Sequence, residues 1–281
     1  VPNNARLRLV MDWCSGFSSR VSAKSKPTVR PTTDVATPAN VASPAGPRAT
    51  RASAVSATPS SLRAVAAGAT GESAVARFNG PCGIVKTSDG SLLVIDSENH
   101  CIRKVRDGQV TTLAGNGEEG GGDGEGAGFS YPQGAALDSQ GGTRILVADN
   151  GNARIAAVTM EGAVSTLPED VGWVSDIAVA PDGTVAFTHD NRLSTLADGA
   201  VTPLAGSEES GFADGVGAVA SFNAPEGVAF GPDGSLYLTD WGNHRVRRVD
   251  RAGTVTTVTG DGTWGYRDGD AASAQFGNIG G

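Results

Sequence analysis

Apolar and polar residues alternate in short runs along the last three-quarters of this chain, and turn-forming residues separate the runs. In the clearest stretch each run has four to six residues, holds β-branched or alternating apolar positions, and is bounded by Gly, Pro, Asp or Asn. Such runs predict β-strands. A Pro-Asp-Gly sequence at residues 232–234 suits a tight turn with the glycine at positive φ. The predicted strands of this stretch cover residues 227–230, 235–239, 245–250 and 255–259.

The same four-strand pattern occurs four times. Each copy begins at a Pro-x-Gly anchor or a variant of it, and successive anchors are separated by 51, 42 and 51 residues. The anchors begin at Pro81, Pro132, Val174 and Pro225. Four strands that recur at this period are typical of the blades of a β-propeller. A β-sandwich is the alternative, but it does not predict one strand quartet repeated in one order. We therefore predict an all-β fold, a β-propeller of four-stranded blades within residues 62–281.

The pattern does not predict a regular closed ring. Residues 62–67 look like the last strand of a preceding blade, and residues 275–281 look like the entry to a following one. A ring removes most of the strand edges that an isolated blade exposes. We expect about four blades, in an incomplete propeller of five or six blades or in an irregularly closed arrangement.

The recurring residues resemble the NHL-repeat family of β-propellers over roughly residues 62–281. The family pattern is Pro-x-Gly, then Asp-Gly-x-apolar-Tyr-Val-x-Asp, then Asn-x-Arg. The third copy departs from it, since His189 stands where the family has Asp, and Cys101 replaces the Arg in the first copy. The resemblance implies the propeller fold and leaves the activity open, because propellers serve as scaffolds, receptors, lyases and hydrolases. The fourth copy matches at Pro225, Gly227, Asp233, Gly234, Tyr237, Asp240, Asn243 and Arg245.

The longer copies contain an insert that resembles a long sub-type of this repeat. Its form is Leu-Ala-Gly, an acidic glycine-rich loop, and Ala-x-Phe. Calcium requires six to eight oxygen ligands, and each loop offers one or two carboxylates. We interpret the loops as connections between blades, with their phenylalanines packed between sheets. Copies occur at residues 113–129 and 204–222, and partial copies at 66–78 and 260–276.

The first 61 residues differ in composition from the rest. Residues 14–61 are rich in Ser, Ala, Thr, Pro and Arg, and Asp34 is their only acid. Such a segment buries too little apolar surface to offset the entropy of ordering, so we predict that it is disordered. A basic, serine-rich, acid-poor segment is also typical of transit peptides, which indicates a plastid or a mitochondrion. A flexible linker in a cytoplasmic protein is the other interpretation.

Charge and cysteine content narrow the classes of partner. Residues 1–77 contain ten Lys or Arg and three acids, a charge of +7, so the remaining residues carry −15 of the total of −8. An acidic domain argues against a nucleic-acid partner, and no apolar run approaches the roughly 18 residues of a membrane span. The cysteines, Cys14, Cys82 and Cys101, form neither a disulfide framework nor a zinc motif. A Cys82–Cys101 disulfide is the alternative.

The second residue of the anchor varies where its neighbours repeat. The resemblance places this position at one mouth of the central channel, and varied polar residues on a constant scaffold are typical of a binding site. Two loop residues, Trp241 and Trp264, are candidates for an exposed recognition surface. The leading hypothesis is a non-catalytic scaffold without a cofactor, which binds a protein or peptide through one face of the ring. The varied positions are Cys82, Gln133, Ser175 and Glu226.

The alternative hypothesis is a metal-dependent lyase or hydrolase with its site in the channel, and Glu226, Asp176 and His189 are the ligands to test. The other recurring polar residues are interpreted as structural. A carboxylate before a tight turn accepts backbone N–H bonds, and Asn tolerates left-handed geometry. Arg154 and Arg245 are expected to pair with neighbouring carboxylates or carbonyls. The structural carboxylates are Asp96, Asp149 and Asp240, and the turn residues are Asn99, Asn152 and Asn243.

Overall fold

The computed structural model describes residues 71–72, 76–138, 142–167 and 171–280. The disorder predicted for residues 1–61 lies outside the described residues. The described chain forms four antiparallel sheets of consecutive strands. The first contains β1 (Gly71–Glu72), β2 (Pro81–Lys86), β3 (Leu92–Asp96), β4 (Cys101–Arg106) and β5 (Gln109–Ala114). The second contains β6 (Pro132–Leu137), β7 (Arg144–Asp149), β8 (Arg154–Thr159) and β9 (Val164–Leu167). The third contains β10 (Val174–Val179), β11 (Val185–His189), β12 (Arg192–Ala197) and β13 (Ala200–Gly206). The fourth contains β14 (Gly215–Val216), β15 (Pro225–Phe230), β16 (Leu236–Asp240), β17 (Arg245–Val249) and β18 (Thr254–Thr259).

The sheets pack face to face because successive residues of each strand point to opposite sides. In β7, Ile145 and Val147 join a buried cluster with the first blade, whereas Leu146 and Ala148 join a cluster with the third blade. A further cluster joins the third and fourth blades. Full burial of one such aliphatic side chain contributes about 1.5–3 kcal/mol. Each inner blade therefore depends on a neighbour on both sides, as a propeller requires.

The blades follow one another in an open arc. The innermost strands β2, β6, β10 and β15 pack against each other in that order. Over the described ranges, β2 and β15 do not pack together in the same way. The prediction of a propeller with four blades and without regular closure is confirmed.

The inserts lie along the outer edge of the blade that follows them. β14 pairs with β18, and β1 pairs with β5, so each adds a short fifth strand to its sheet. In the second blade an isolated bridge joins Gly124 to Val164 in the same manner. The insert phenylalanines Phe129 and Phe222 are fully buried in the clusters between blades. The inserts thus cover edges that could otherwise pair with another chain.

The turn between the second and third strands differs from the expectation in one respect. The residue with positive φ is the one after the asparagine, with φ of 48° at His100, 51° at Ala153 and 53° at His244. The asparagine instead donates its Nδ2 hydrogen to the preceding aspartate, over 2.8 Å from Asn243 to Asp240. The left-handed role assigned to the asparagines was therefore wrong, because the side chain is used to bind the carboxylate.

Candidate functional site

Strand direction places the candidate residues at one end of the blades. Because consecutive strands are antiparallel, Pro225 at the start of β15 lies opposite Asp240 at the end of β16, and Asp240 lies opposite Arg245. The starts of the innermost strands, the turns after the second strands and the junctions with the inserts therefore share one rim. We call this the anchor rim. The other turns form the opposite rim.

The four varied anchor residues lie in a row on the anchor rim, one on each innermost strand. All four are partly buried, and they are Cys82, Gln133, Ser175 and Glu226. Burial raises the pKa of Glu226 to about 7. The Sγ atom of Cys82 lies 3.1 Å from the carbonyl oxygen of Gly80. The disulfide considered between Cys82 and Cys101 does not form, because Cys101 is a buried free thiol.

Asp176 replaces the anchor glycine of the third blade and bridges its neighbours. Its Oδ2 atom accepts a hydrogen bond of 2.9 Å from the backbone N–H of Val228 in the fourth blade. On the other side, a Cβ atom added at Gly134 would overlap the Asp176 carboxylate. Burial raises the pKa of Asp176 to about 6. One carboxylate thus contacts the innermost strands of both adjacent blades.

A short hydrogen-bond chain connects Asp176 with the backbone of Glu226. The N–H of Asp176 donates to the Oγ1 atom of Thr188, over 3.2 Å, and the hydroxyl of Thr188 donates to the carbonyl oxygen of Glu226. His189 does not join this chain, since its Nε2 atom lies 2.8 Å from the Oγ atom of Ser194. Across the described ranges, no three His, Cys, Asp or Glu side chains are arranged to hold a metal ion. Asp176 and Glu226 are therefore neighbours, and His189 belongs to the interior of its blade.

The recurring aspartates are buried and hold the blades together. Asp149 accepts hydrogen bonds from the backbone N–H of Ser130, over 2.8 Å, and from Nε of Arg154, over 2.7 Å. Arg154 also donates to the carbonyl oxygens of Gly122 and Gly128 in the preceding insert. The interpretation of Asp149 as structural and the pairing predicted for Arg154 agree with this geometry.

In the fourth blade the buried aspartate uses a different arginine. Arg245 donates to the carbonyl oxygens of Asn243 and Asp261. Arg247, two residues further along β17, forms the ion pair with Asp240 and a second one of 2.7 Å with Asp214 of the insert. Sequence reasoning missed Arg247. The signal that could have found it is the equivalent Arg103 in the first blade, which lies 3.5 Å from Asp96.

Exposed aromatic side chains lie on the anchor rim and in the inserts, where Phe212 is 48% and Tyr266 93% exposed. Trp264 is 67% exposed in the last insert, and Trp241 is 36% exposed in the turn after β16. Trp173 precedes β10 at the same rim and is 64% exposed. Among the residues that the structure describes, the opposite rim carries no exposed aromatic residue; it presents charged groups such as Asp182 and Arg251. The two rims therefore differ in chemistry.

Four radially packed, four-stranded sheets define a β-propeller protein. The family model of the NHL repeat matches residues 222–249, which cover most of the fourth blade. The chain is 28% identical over 239 residues to the protein SUPPRESSOR OF QUENCHING 1, chloroplastic, of Arabidopsis thaliana, a match that covers 72% of this chain and 23% of that protein. It is 28% identical over 240 residues to NHL repeat-containing protein 2 of Homo sapiens, covering 66% of this chain and 33% of that protein. The family-model match and these relatives support an NHL-repeat β-propeller.

Solved structures share the fold at low sequence identity. An auxiliary nutrient binding protein from Bacteroides ovatus matches with a TM-score of 0.58 and 18% identity, over 73% of this chain and 53% of that chain. A catalytically inactive virginiamycin B lyase from Staphylococcus aureus with quinupristin matches with a TM-score of 0.50 and 19% identity, over 71% of this chain and 59% of that chain. The matched region thus spans a quarter to a third of the two curated relatives and little more than half of these structures. Within the described residues, no helix is long and apolar enough to cross a membrane.

Proposed function

We propose that this chain is a non-catalytic NHL-repeat scaffold that binds a protein or peptide through the anchor rim. The observation that carries the proposal is the position of three exposed tryptophans, Trp173, Trp241 and Trp264, on that rim. Tryptophan side chains supply large apolar contacts and are enriched among the residues that dominate binding energy. The varied row from Cys82 to Glu226 lies on the same rim and supplies differing polar groups for specificity.

The charge of the domain indicates the chemistry of the partner. Residues 78–281 carry a net charge of −15. Electrostatic complementarity favours a partner segment with basic and apolar residues, and it disfavours a phosphate backbone. We therefore propose a basic, partly apolar peptide segment as the ligand class and no nucleic acid.

The test uses a phage-displayed library of random 12-residue peptides selected on the full chain. We expect enriched peptides to lose at least tenfold in affinity for a Trp241→Ser, Trp264→Ser double variant, because both anchors would be removed. The matched control is Arg251→Ser on the opposite rim, which should leave affinity unchanged. The proposal fails if no peptide is enriched, or if enriched peptides bind the double variant and wild type equally.

A hydrolase or lyase activity is the second candidate, and one observation favours it. Asp176 contacts the innermost strand that carries Glu226, and burial raises the pKa of both carboxyl groups, to about 6 and about 7. Carboxyl groups with a perturbed pKa are frequent at catalytic sites. Retention of an activity found in a substrate screen by an Asp176→Asn, Glu226→Gln variant would remove this candidate.

A plastid location is proposed on separate grounds. The Arabidopsis relative is named as chloroplastic, and residues 14–61 have the basic, serine-rich composition of transit peptides. Residues 1–61 fused to a fluorescent protein should direct it to plastids, whereas a fusion with the arginines of this segment replaced by glutamate should stay outside. Diffuse cytosolic fluorescence of the first fusion would contradict the proposal.

A further inference from the structure

The third blade contributes shorter segments to the anchor rim than the other blades do. Its second and third strands, β11 and β12, are joined by residues 190–191 alone. The connection from β9 to β10 also lacks the insert that precedes the second and fourth blades. Trp173, directly before β10, and Asp190, directly after β11, therefore have no insert of their own blade beside them. The equivalent turns of the other blades span residues 97–100, 150–153 and 241–244.

Two hydrogen bonds hold Trp173 and Asp190 next to each other. The N–H of Trp173 donates to Oδ1 of Asp190, over 3.3 Å, and the N–H of Asp190 donates to the carbonyl oxygen of Trp173, over 3.2 Å. A Cβ atom added at Gly172 would overlap Oδ2 of Asp190, so the carboxylate is packed against this glycine. The indole and the carboxylate are thus attached to the same hydrogen-bonded stretch of backbone.

The carboxylate of Asp190 is ionised and reaches solvent. His189 lies on its buried side, with 3.6 Å between Nδ1 and Oδ2, and this contact lowers the pKa of Asp190. The side chain of Asp190 is 44% exposed. Arg192, at the start of β12, pairs instead with Glu208, over 2.7 Å. Within the described ranges, Asp190 therefore presents a negative charge that has no ion pair with a lysine or an arginine.

The fourth blade shows how this protein combines an aromatic ring and a carboxylate around an arginine. The guanidinium carbon of Arg247 lies 4.8 Å from the ring centre of Phe212, and Arg247 pairs with Asp214 over 2.7 Å. At the third blade the ring of Trp173 is 64% exposed, and no cation among the described residues lies over it. The third blade thus offers a ring and a carboxylate that are both open to a ligand.

We propose that Trp173 and Asp190 bind one arginine side chain of the partner peptide. The guanidinium plane stacks on the exposed indole, and its N–H groups donate to the Asp190 carboxylate. Arginine suits both contacts because its planar, permanently charged group stacks on aromatic faces and forms paired hydrogen bonds with carboxylates. The inference rests on the proposed peptide binding at the anchor rim, and it narrows the basic ligand to one that contains arginine.

The carboxylates beside the other two exposed tryptophans of the rim are already paired. The carboxylate of Asp240, next to Trp241, is fully buried in its ion pair. Asp261, close to Trp264 in the sequence, pairs with Arg267 over 3.1 Å. Trp241 and Trp264 are therefore expected to contact apolar parts of the ligand, and the contact with arginine belongs to the third blade.

The test titrates N-acetyl-argininamide into the ¹⁵N-labelled full chain and follows the indole N–H signals by NMR. A Trp173→Phe variant assigns the signal of Trp173. We expect a saturable shift of this signal with an affinity in the millimolar range, because the ring and the carboxylate are both accessible to water. N-acetyl-citrullinamide, which has a similar shape without the charge, should leave the signal unchanged. The signals of Trp241 and Trp264 should move far less.

Two variants separate the contact with Asp190 from general attraction by the acidic domain. Asp190→Asn keeps an oxygen for the N–H of Trp173 and should weaken binding of N-acetyl-argininamide about threefold. The matched control Glu209→Gln removes one exposed carboxylate from the insert of the fourth blade and should leave the affinity unchanged.

The proposal is overturned if N-acetyl-argininamide causes no saturable shift of the Trp173 signal, or if the citrulline compound shifts it equally. It is also overturned if the three tryptophans respond alike, or if Asp190→Asn and Glu209→Gln have the same effect.

These results are separable from the proposed scaffold role. If N-acetyl-argininamide binds at Trp173 but no peptide is enriched on the full chain, peptide binding is contradicted and the arginine contact stands. If peptides are enriched but the arginine compound does not bind at Trp173, the arginine contact is wrong and peptide binding stands. In enriched peptides, replacement of the arginine by citrulline should weaken binding to wild type more than binding to the Asp190→Asn variant.

Discussion

Asp240 and Arg247 form a fully buried ion pair in the fourth blade, with 2.6 Å between Oδ2 and Nη1. The Asp240 carboxylate also accepts hydrogen bonds of 2.8 Å from the backbone N–H of Asn223 and from Nδ2 of Asn243. Arg247 in turn donates to the carbonyl oxygen of Ala213 in the insert. The pair therefore fixes the second strand, the following turn and the insert to one another.

Removal of one partner should be costly because the other remains buried and charged. For Arg247→Met we expect a loss of about 3–5 kcal/mol in the free energy of unfolding, the usual range for a broken buried pair. Urea denaturation followed by circular dichroism measures the change. Arg248→Met is the matched control, since Arg248 pairs with the exposed Asp233 at 2.9 Å and should change stability far less. Equal effects of the two substitutions would contradict a clamping role for Arg247.

The sequence predicts the blades well because their signals are local. Alternation within β16 and the turn at Asp233-Gly234 specify strand and hairpin without information from distant residues. The arginine that pairs with each aspartate, in contrast, cannot be identified from the neighbouring sequence alone. Residues two apart in a strand, such as Arg245 and Arg247, can reach the same side of the sheet. The position of the insert decides between them, so the repeat pattern alone does not identify Arg247 as the partner of Asp240.

The third blade has a histidine–serine hydrogen bond in place of the ion pair. His189 stands at the position of Asp240, and its Nε2 atom lies 2.8 Å from Ser194, which stands at the position of Arg247. His189→Asp alone would bury an unpaired carboxylate, and Ser194→Arg alone would bury an unpaired guanidinium, so each should destabilise the fold. We expect the double variant to lose roughly 1–3 kcal/mol less free energy of unfolding than the sum of the two single losses.

A double-mutant cycle of chemical denaturation midpoints measures this coupling. The matched control combines His189→Asp with Thr195→Arg, one position along β12, where the side chain points to the other side of the sheet. This control should show no favourable coupling. Additive effects in the Ser194 cycle would show that the His189–Ser194 pair is not the counterpart of the ion pair.

The site was less predictable than the fold, and Asp176 shows why. The sequence marks Asp176 as a departure from the anchor glycine, which is sufficient to nominate it as a candidate. Its contact with Val228, 52 positions away, depends on how two innermost strands pack. Burial also raises the pKa of Glu226. Periodicity within one repeat contains no information about contacts between repeats.

The raised pKa of Asp176 predicts how stability depends on pH. The pKa is about 6 in the folded chain and about 3.9 in an unfolded one. Between these values the folded state holds a proton that the unfolded state releases, so the free energy of unfolding falls as pH rises from about 4 to about 6. Glu226, with a folded pKa of about 7, extends the decline toward neutral pH. Above that pH range, neither Asp176 nor Glu226 changes the free energy of unfolding further.

Asp176→Asn should remove the contribution of Asp176 to this dependence of stability on pH, because asparagine does not titrate. The asparagine oxygen can still accept the hydrogen bond from Val228. Relative to wild type, the variant should gain on the order of 1–3 kcal/mol in stability between pH 4.5 and pH 8. Urea denaturation at both pH values measures the difference. The matched control is Asp182→Asn, since hydrogen bonds from Thr184 lower the pKa of this exposed carboxyl and place its titration below the window. A variant that follows the wild-type pH profile would show that Asp176 is ionised in the folded chain throughout.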